Sequence, residues 1–577
     1  MQTTSNIYCS RIINLLSQHG VTAAYCSPGS RNTPLLVALD AVESIAKTVV
    51  VDERSAAFQA LGYSLVKRSP VLLVCTSGSA VLNYAPAIAE AYYAGVPLIV
   101  VSADRPQEWI DQDDSQTIRQ FGVLSHIVKG SYDIRAIPEG SGREYTEEMG
   151  WYVNRTVNEA VTKALEGKPG PVHINVQLAE PLGLLAESEP RAERKVSLIG
   201  ASDQLAPAML RHYSSAAAGA KILVVAGFSA PSHKLRVALE RFASLPNVTV
   251  MAETISNLND TQSMSAMIDS VLCRMTAEDK EKMRPDIVIS MGGALVSRML
   301  KQYLRDFPPS MHWSVGHSNY FCDCFKAVTD IFDISPERFF SQMHHAMVRS
   351  AVPATPDYSA QWRRMREEAL EWSERYIEGA PWSDLKAIHY LLGNLRLDNL
   401  FVSNGTAVRY SQLIPHRCHA EYCNRGVSGI DGCTSTAVGG AAAYSGQTTL
   451  LTGDMSWLYD SGCSTLGAVS EKMRIIVIDN SGGGIFRFIK STSGLPAETL
   501  DRYLCVADMP DVAPVAEAYG IEVFEASCMA ELADGAEWLQ QESDLPRLLI
   551  VRTPPEESAE VLRNYFSRSS STYSDKK

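Results

Sequence analysis

Two strings in the last third of the chain carry the sharpest chemical signal. The strand-like run Thr448–Thr452 ends in Gly453-Asp454, and the run Ile475–Ile478 ends in Asp479-Asn480-Ser481-Gly482-Gly483-Gly484. In an open parallel sheet, ligands bind beyond the carboxyl ends of the strands. Neighbouring strand ends would present the Asp454 carboxylate and the Asn480 amide oxygen to one small hard cation. The glycines let the backbone approach that ion, which makes the Gly482 carbonyl a third candidate ligand. Magnesium suits such a set, since it takes six oxygens and is usually held by one or two protein groups together with phosphate. As bare patterns Gly-Asp is a turn and Ser-Gly-Gly-Gly a loop. Their place on two strand ends is what gives them weight.

A further carboxylate stands near the start of the chain. The run Thr48–Val51 ends in Asp52-Glu53-Arg54 and leads into a helix of small residues from Ser55 to Gly62. Standing alone, a carboxylate at such a place is a capping charge favoured by the helix dipole. A zinc site from His312, His317, Cys322 and Cys324 is conceivable by residue type, but the spacing matches no common pattern.

Short apolar runs separated by helical stretches predict the scaffold that must position these groups. In the first part of the chain they fall at Ala23–Cys26, Thr48–Val51, Val71–Cys75, Leu98–Ser102 and Val172–Val176. In the second they fall at Lys221–Val225, Val248–Met251, Asp286–Ser290 and near Ile331. In the third they fall at Leu400–Ser403, Thr448–Thr452, Ile475–Ile478, Glu522–Phe524 and Leu548–Val551. The expected fold is α/β, with three consecutive domains of mainly parallel sheet at 1–190, 191–350 and 351–577. The charged stretch from Glu187 to Lys195 reads as a linker, and that from Pro353 to Ala380 as a linker or a helix.

Composition narrows the function classes. The chain has 577 residues, 46% of them hydrophobic and 20% charged, and a net charge of −13. That balance disfavours nucleic acid and anionic membranes as partners. Its 12 cysteines are scattered, several within apolar runs, as expected of buried thiols in a reducing cytoplasm. No apolar stretch is long enough to cross a bilayer, and the first residues lack a signal-peptide pattern.

Taken together, strand-Glu53-helix, Thr76-Ser77-Gly78-Ser79-Ala80, Gly453-Asp454 and Asn480-Ser481-Gly482-Gly483 resemble the thiamine-diphosphate-dependent enzyme superfamily. The resemblance implies a thiamine-diphosphate-binding fold at both ends of the chain, and Mg2+ (or Mn2+) on Asp454, Asn480 and Gly482. It implies that Glu53 is catalytic, sharing a proton with the cofactor's aminopyrimidine so that the thiazolium C2 proton is lost. A raised pKa in a dry cleft is expected of such a group. Ser77, Gly78, Ser428, Gly453, Met455 and Ser456 are implied as further cofactor contacts, with Ile430 the apolar wedge that holds the cofactor bent.

Four more strings narrow the branch: Ser27–Pro34, Ala103–Pro106, Gln116–Gln120 and Asn424–Gly432. They resemble the branch serving menaquinone biosynthesis, a transferase that decarboxylates 2-oxoglutarate and adds the succinyl carbanion to isochorismate. Both substrates are dicarboxylates, so the resemblance implies arginine contacts from Arg31, Arg119, Arg298, Arg409 and Arg425, with Ser30 and Gln116 beside them. Ile485, Phe486 and Ile489 are the implied apolar wall. Ser297-Arg298 departs from the usual Lys-Arg pair of that branch, and Gly405 from its usual serine. A homodimer or dimer of dimers is implied, with a cleft between the first unit of one chain and the third of another. Rival readings are a pyruvate-using enzyme of the acetolactate synthase type and a non-catalytic homologue.

Overall fold

The computed structural model describes residues 2–137, 141–187, 192–199, 203–258, 264–349, 358–463, 469–489, 491–492, 494–506 and 508–567. Three six-stranded parallel sheets account for the fold. The first runs Ala46–Val49, Ala23–Cys26, Val71–Cys75, Leu98–Asp104, Val172–Gln177, Ser131–Ile134. The third runs Cys418–Tyr422, Leu397–Val402, Thr448–Gly453, Met473–Asp479, Arg547–Arg552, Glu522–Ala526. Numbered within each sheet by chain order, both read 2-1-3-4-6-5, so the two ends of the chain share one topology. The central sheet reads 3-2-1-4-5-6, from Met264–Ser265 through Val248–Ala252, Ile222–Ala226, Ile287–Met291 and Met311–Val315 to Asp330–Phe332. The α/β class with parallel sheets expected from the sequence is the one observed.

Contiguous packing divides the chain into two compact units. One comprises Met1–Gly200, Gly426–Ser445 and Tyr459–Ser470, and contains the first sheet. The other comprises Ala201–Arg425, Gly446–Leu458 and Glu471–Lys577, and contains the other two.

The interior strands other than Met311–Val315 are where apolar runs placed them, because strands covered on both faces read as continuous Val, Ile and Leu. Departures cluster where that rule fails. The strand expected at Thr48–Val51 is Ala46–Val49, on an edge, and Val49 and Val51 are exposed. Ser131–Ile134 and Cys418–Tyr422 went unrecognised as partly polar edge strands. Met311–Val315 is interior, yet buried His312 breaks its apolar pattern; His312 Nε2 lies 2.8 Å from Ser290 Oγ on the neighbouring strand. Residues 188–191 of the expected linker lie outside the described residues, and Leu185–Glu187 pairs antiparallel with Gln2–Thr4. Residues 353–357 of the stretch expected at Pro353–Ala380 lie outside the described residues, and Tyr358–Gly379 is a helix that buries Trp362.

Candidate active site

The strands ending at Gly453 and Asp479 are adjacent and in register, Gly453 opposite Ile478. Asp454 opens the helix Asp454–Tyr459 directly beyond its strand. Its Oδ2 accepts the Gly482 backbone N–H at 2.7 Å, and its Oδ1 accepts that of Met455 at 2.7 Å. Burial pushes the Asp454 carboxyl up to about 7, the two amides pull it down, and Asp479 raises it again. Asp479 is itself bound to Arg552 at 2.6 Å, which removes it from competition as a ligand. Asn480 is buried and donates Nδ2 to Asp384 Oδ2 at 2.7 Å. Gly482 has φ +109°, and a Cβ there would sit 1.8 Å from the Cys505 carbonyl oxygen, so only glycine fits.

Carboxylate, amide oxygen and backbone carbonyl are the oxygen donors a hard divalent cation takes, and Asp454 is a buried carboxylate whose ionised form a cation would favour. The donor set therefore fits the implied metal. One of the two lone pairs of the Gly482 carbonyl already accepts the Gly484 N–H at 2.9 Å. Beyond the loop, Ile485 and Phe486 sit in the short turn Gly484–Arg487, and they and Ile489 are half-buried. Arg487 ties that turn down through Asp501 at 2.7 Å and Glu556 at 2.5 Å. Ser456 is buried, and Gly453 and Met455 are partly so.

Glu53 lies in the other unit and is the first residue of the helix Glu53–Lys67, two residues earlier than expected. Asp52 is the reason: extended, it caps the helix by accepting Arg54 N–H at 3.0 Å and Ser55 Oγ–H at 3.1 Å. The small residues of that helix have a packing purpose. A Cβ on Gly62 would lie 1.8 Å from the Thr436 carbonyl oxygen, and one on Gly439 would lie 1.9 Å from that of Gln59. The helix thus meets Cys433–Ala443 backbone to backbone. Burial, the first cause, holds the Glu53 carboxyl above its usual value.

Within the same unit, buried Glu90 accepts the N–H groups of Gly426 at 2.6 Å and Val427 at 2.7 Å, which anchors the start of the Gly426–Gly432 string. Ser428 in that string is exposed, with φ +65°, and Ile430 is half-buried. Ser77 and Gly78 are buried, and Gly78 N–H donates to Gln120 Oε1 at 3.0 Å. Ser30, Gln116 and Arg119 are exposed. Arg119 pairs with Asp111 at 2.8 Å, and buried Arg31 bonds the Leu178 carbonyl and Glu180, each at 3.1 Å.

Arg298, Arg409 and Arg425 are gathered in the second unit. Burial lowers the Arg409 pKa, and the charges of Arg298 and Arg425 lower it further, against Asp269 and Glu253. Arg425 donates to Asn404 Oδ1 at 2.8 Å and to the Leu295 carbonyl at 3.2 Å. The structure thus adds two carboxylates, Asp269 and Glu253, to the arginine set implied by the resemblance. Glu253 was missed although it directly follows the strand Val248–Ala252, the same strand-end rule that singles out Asp454.

A family model described as "Thiamine pyrophosphate enzyme, N-terminal TPP binding domain" matches residues 9–123. A 2-succinyl-5-enolpyruvyl-6-hydroxy-3-cyclohexene-1-carboxylate synthase of Porphyromonas gingivalis is 37% identical over 97% of this chain and 96% of its own. The chain belongs to this synthase family. Proteins of the same description from Flavobacterium johnsoniae, 33% identical over 96% of this chain and 97% of theirs, and Bacteroides fragilis, 34% over 96% and 98%, agree.

Against the pattern expected of the synthase family, the two departures have local explanations. Ser297 caps the helix Arg298–Asp306, accepting Leu300 N–H at 2.9 Å and donating Oγ–H to Asp269. Gly405 has φ +98° with no neighbour within 4 Å of a Cβ, so backbone conformation, not space, favours glycine there. The zinc alternative does not form. His312 faces Ser290, His317 bonds Asp333 at 2.7 Å, and among the described residues the one metal-capable grouping is His416, Cys418 and Glu421. Those donors are engaged otherwise: His416 pairs with Glu421 at 3.0 Å, and Glu421 Oε1 accepts Thr254 Oγ–H at 2.9 Å.

Proposed function

We propose that this chain catalyses the thiamine-diphosphate-dependent decarboxylation of 2-oxoglutarate and transfer of the succinyl unit to isochorismate, forming a carbon–carbon bond in menaquinone biosynthesis. The observation that carries the reading is the near-full-length match to synthases of that description. Glu53, Asp454, Asn480 and the Arg298-Arg409-Arg425 set all stand in the chain that makes it.

Thiamine diphosphate, when bound, supplies the electron sink that decarboxylation of a 2-oxo acid requires. Asp454, Asn480 and the Gly482 carbonyl would hold Mg2+ (or Mn2+), which would neutralise the cofactor's diphosphate. Glu53, whose pKa is raised by burial, would hold a proton at its carboxyl for exchange with the bound cofactor's aminopyrimidine. Ser77, Gly78, Ser428, Gly453, Met455, Ser456 and Ile430 would contact the cofactor. Arg298, Arg409 and Arg425, with Arg31, Arg119, Ser30 and Gln116, meet the substrate carboxylates, while Ile485, Phe486 and Ile489 exclude water from the carbon chain. The working form in this reading is a cytoplasmic homodimer or dimer of dimers, built from domains at 1–190, 191–350 and 351–577. No helix among the described residues is long and apolar enough to cross a membrane.

The decisive experiment is mass-spectrometric identification of the product from 2-oxoglutarate plus isochorismate with cofactor and Mg2+, run beside pyruvate. A product of succinyl transfer supports the reading. Equal use of pyruvate moves the chain to the acetolactate type, and absence of cofactor binding by calorimetry makes it a non-catalytic homologue.

A further inference from the structure

The short loop from Leu295 to Ser297 that leads into Arg298 is gripped at the Leu295 carbonyl, the Val296 and Ser297 N–H groups and the Ser297 hydroxyl. The Leu295 carbonyl accepts from Arg425 at 3.2 Å and from Lys301 Nζ at 2.8 Å. The Val296 N–H donates to Glu253 Oε1 at 2.8 Å and Oε2 at 2.9 Å, and the Ser297 N–H donates to Oε1 at 2.8 Å. The Ser297 hydroxyl goes to Asp269. Glu253 is itself fixed, since it follows the strand Val248–Ala252 and its N–H donates to the Ala226 carbonyl at 3.2 Å. It is 1% exposed, so these bonds are made away from water.

A carboxylate buried this deeply is costly unless its bonds are used. Glu253 uses both oxygens on one loop and lies in the field of Arg425, Arg409 and Lys301, with Asp269 the opposing charge. Two carboxylates among Arg298, Lys301, Arg409 and Arg425 leave positive charge in excess, as a pocket for a carboxylate-bearing substrate requires.

We infer that Glu253 is a positioning residue for substrate-carboxylate recognition: by gripping the Val296 and Ser297 amides it holds the loop that sets Arg298 and the Leu295 carbonyl that orients Arg425. The inference rests on the reading of these arginines as the substrate-carboxylate set. It concerns reach more than charge, because one oxygen, Oε1, already accepts both amides.

Two conservative variants separate reach from charge. Glu253→Gln keeps an oxygen at the same distance from the loop and loses the charge. Glu253→Asp keeps the charge and falls one methylene short. Steady-state kinetics should show that Glu253→Asp raises the KM for 2-oxoglutarate or isochorismate by about tenfold or more, the scale of a lost charged hydrogen bond. The calorimetric Kd for thiamine diphosphate with Mg2+ should stay that of the parent, and Glu253→Gln should keep KM within about threefold of it. Parental KM values for both substrates in Glu253→Asp would overturn the inference, as would a Glu253→Gln impaired as badly as Glu253→Asp. Arg425→Ala, measured in parallel, tells the two readings apart. If it raises KM while Glu253→Asp does not, only the positioning role fails; if it leaves KM unchanged, the arginine reading fails.

Discussion

Asn480 donates its side-chain amide to the buried carboxylate of Asp384 across 2.7 Å. The bond decides which end of the amide is left for a ligand: nitrogen faces Asp384, so the oxygen is the free end. Asp384 is held in turn by Thr553 Oγ–H and by Tyr410 OH at 3.4 Å. Asp384→Ala should therefore weaken Mg2+-dependent binding of thiamine diphosphate by about 10–100-fold, as losing the partner of a metal ligand typically does. Calorimetric titration at varied Mg2+ reads this directly, and an unchanged affinity would mean that Asn480 needs no orientation.

Glu53→Gln should still bind cofactor, because the diphosphate end of the site is elsewhere. It should slow exchange of the thiazolium C2 proton, since an amide holds no transferable acid proton. Proton exchange followed by NMR after quenching tests this; a parental exchange rate would remove Glu53 from the proposed role.

The backbone-to-backbone packing of Glu53–Lys67 on Cys433–Ala443 leaves no room for a methyl group at Gly439. Gly439→Ala should cost about 1–3 kcal/mol by overpacking, despite alanine's better helix propensity. Urea unfolding should show an earlier midpoint for the transition that reports on this unit. A later midpoint would show that the helices separate without penalty.

Burial pushes Glu253 up from 4.5 to about 7, the Ser297 and Val296 amides and Arg425 acting in the opposite direction. The folded chain therefore keeps a proton that the unfolded chain releases between these values. By linkage, the stability from this group is fully present below about pH 4.5 and is lost as pH rises through about 7. Asp454, with the same direction of shift, contributes a similar slope, so the difference between proteins is the useful quantity. Glu253→Gln should flatten the fall in urea midpoint between pH 5.5 and 7.5. Parallel pH profiles for the two proteins would contradict this.

Some of the site was legible in one dimension because strand-end chemistry is local. An apolar run that stops at Gly453-Asp454 or Asp479-Asn480 places a donor at the edge of a sheet whatever the rest of the chain does, and the two strands prove to be in-register neighbours. The small-residue helix after Asp52 was equally readable, although the Asp52 cap sets its start at Glu53. The edge strands Ser131–Ile134 and Cys418–Tyr422 were not, since their partly polar residues remove the apolar signal, whereas the edge strand Glu522–Ala526 kept enough of it to be read.

What the amino-acid sequence alone determined is the α/β alternation, the positions of the interior strands other than Met311–Val315 and the residue types at their carboxyl ends. All of these follow from side-chain polarity over a few neighbouring residues. Tertiary structure alone decided the shared 2-1-3-4-6-5 order of the end sheets, the contact of Gly62 and Gly439 with facing carbonyls, and the partners of the donors. Asp384 and Asn480 are 96 residues apart, and Glu253 and Val296 are 43 apart. No local pattern encodes such pairs. They exist because chain closure buries a carboxylate, and burial compels it to find the N–H groups that happen to be folded against it.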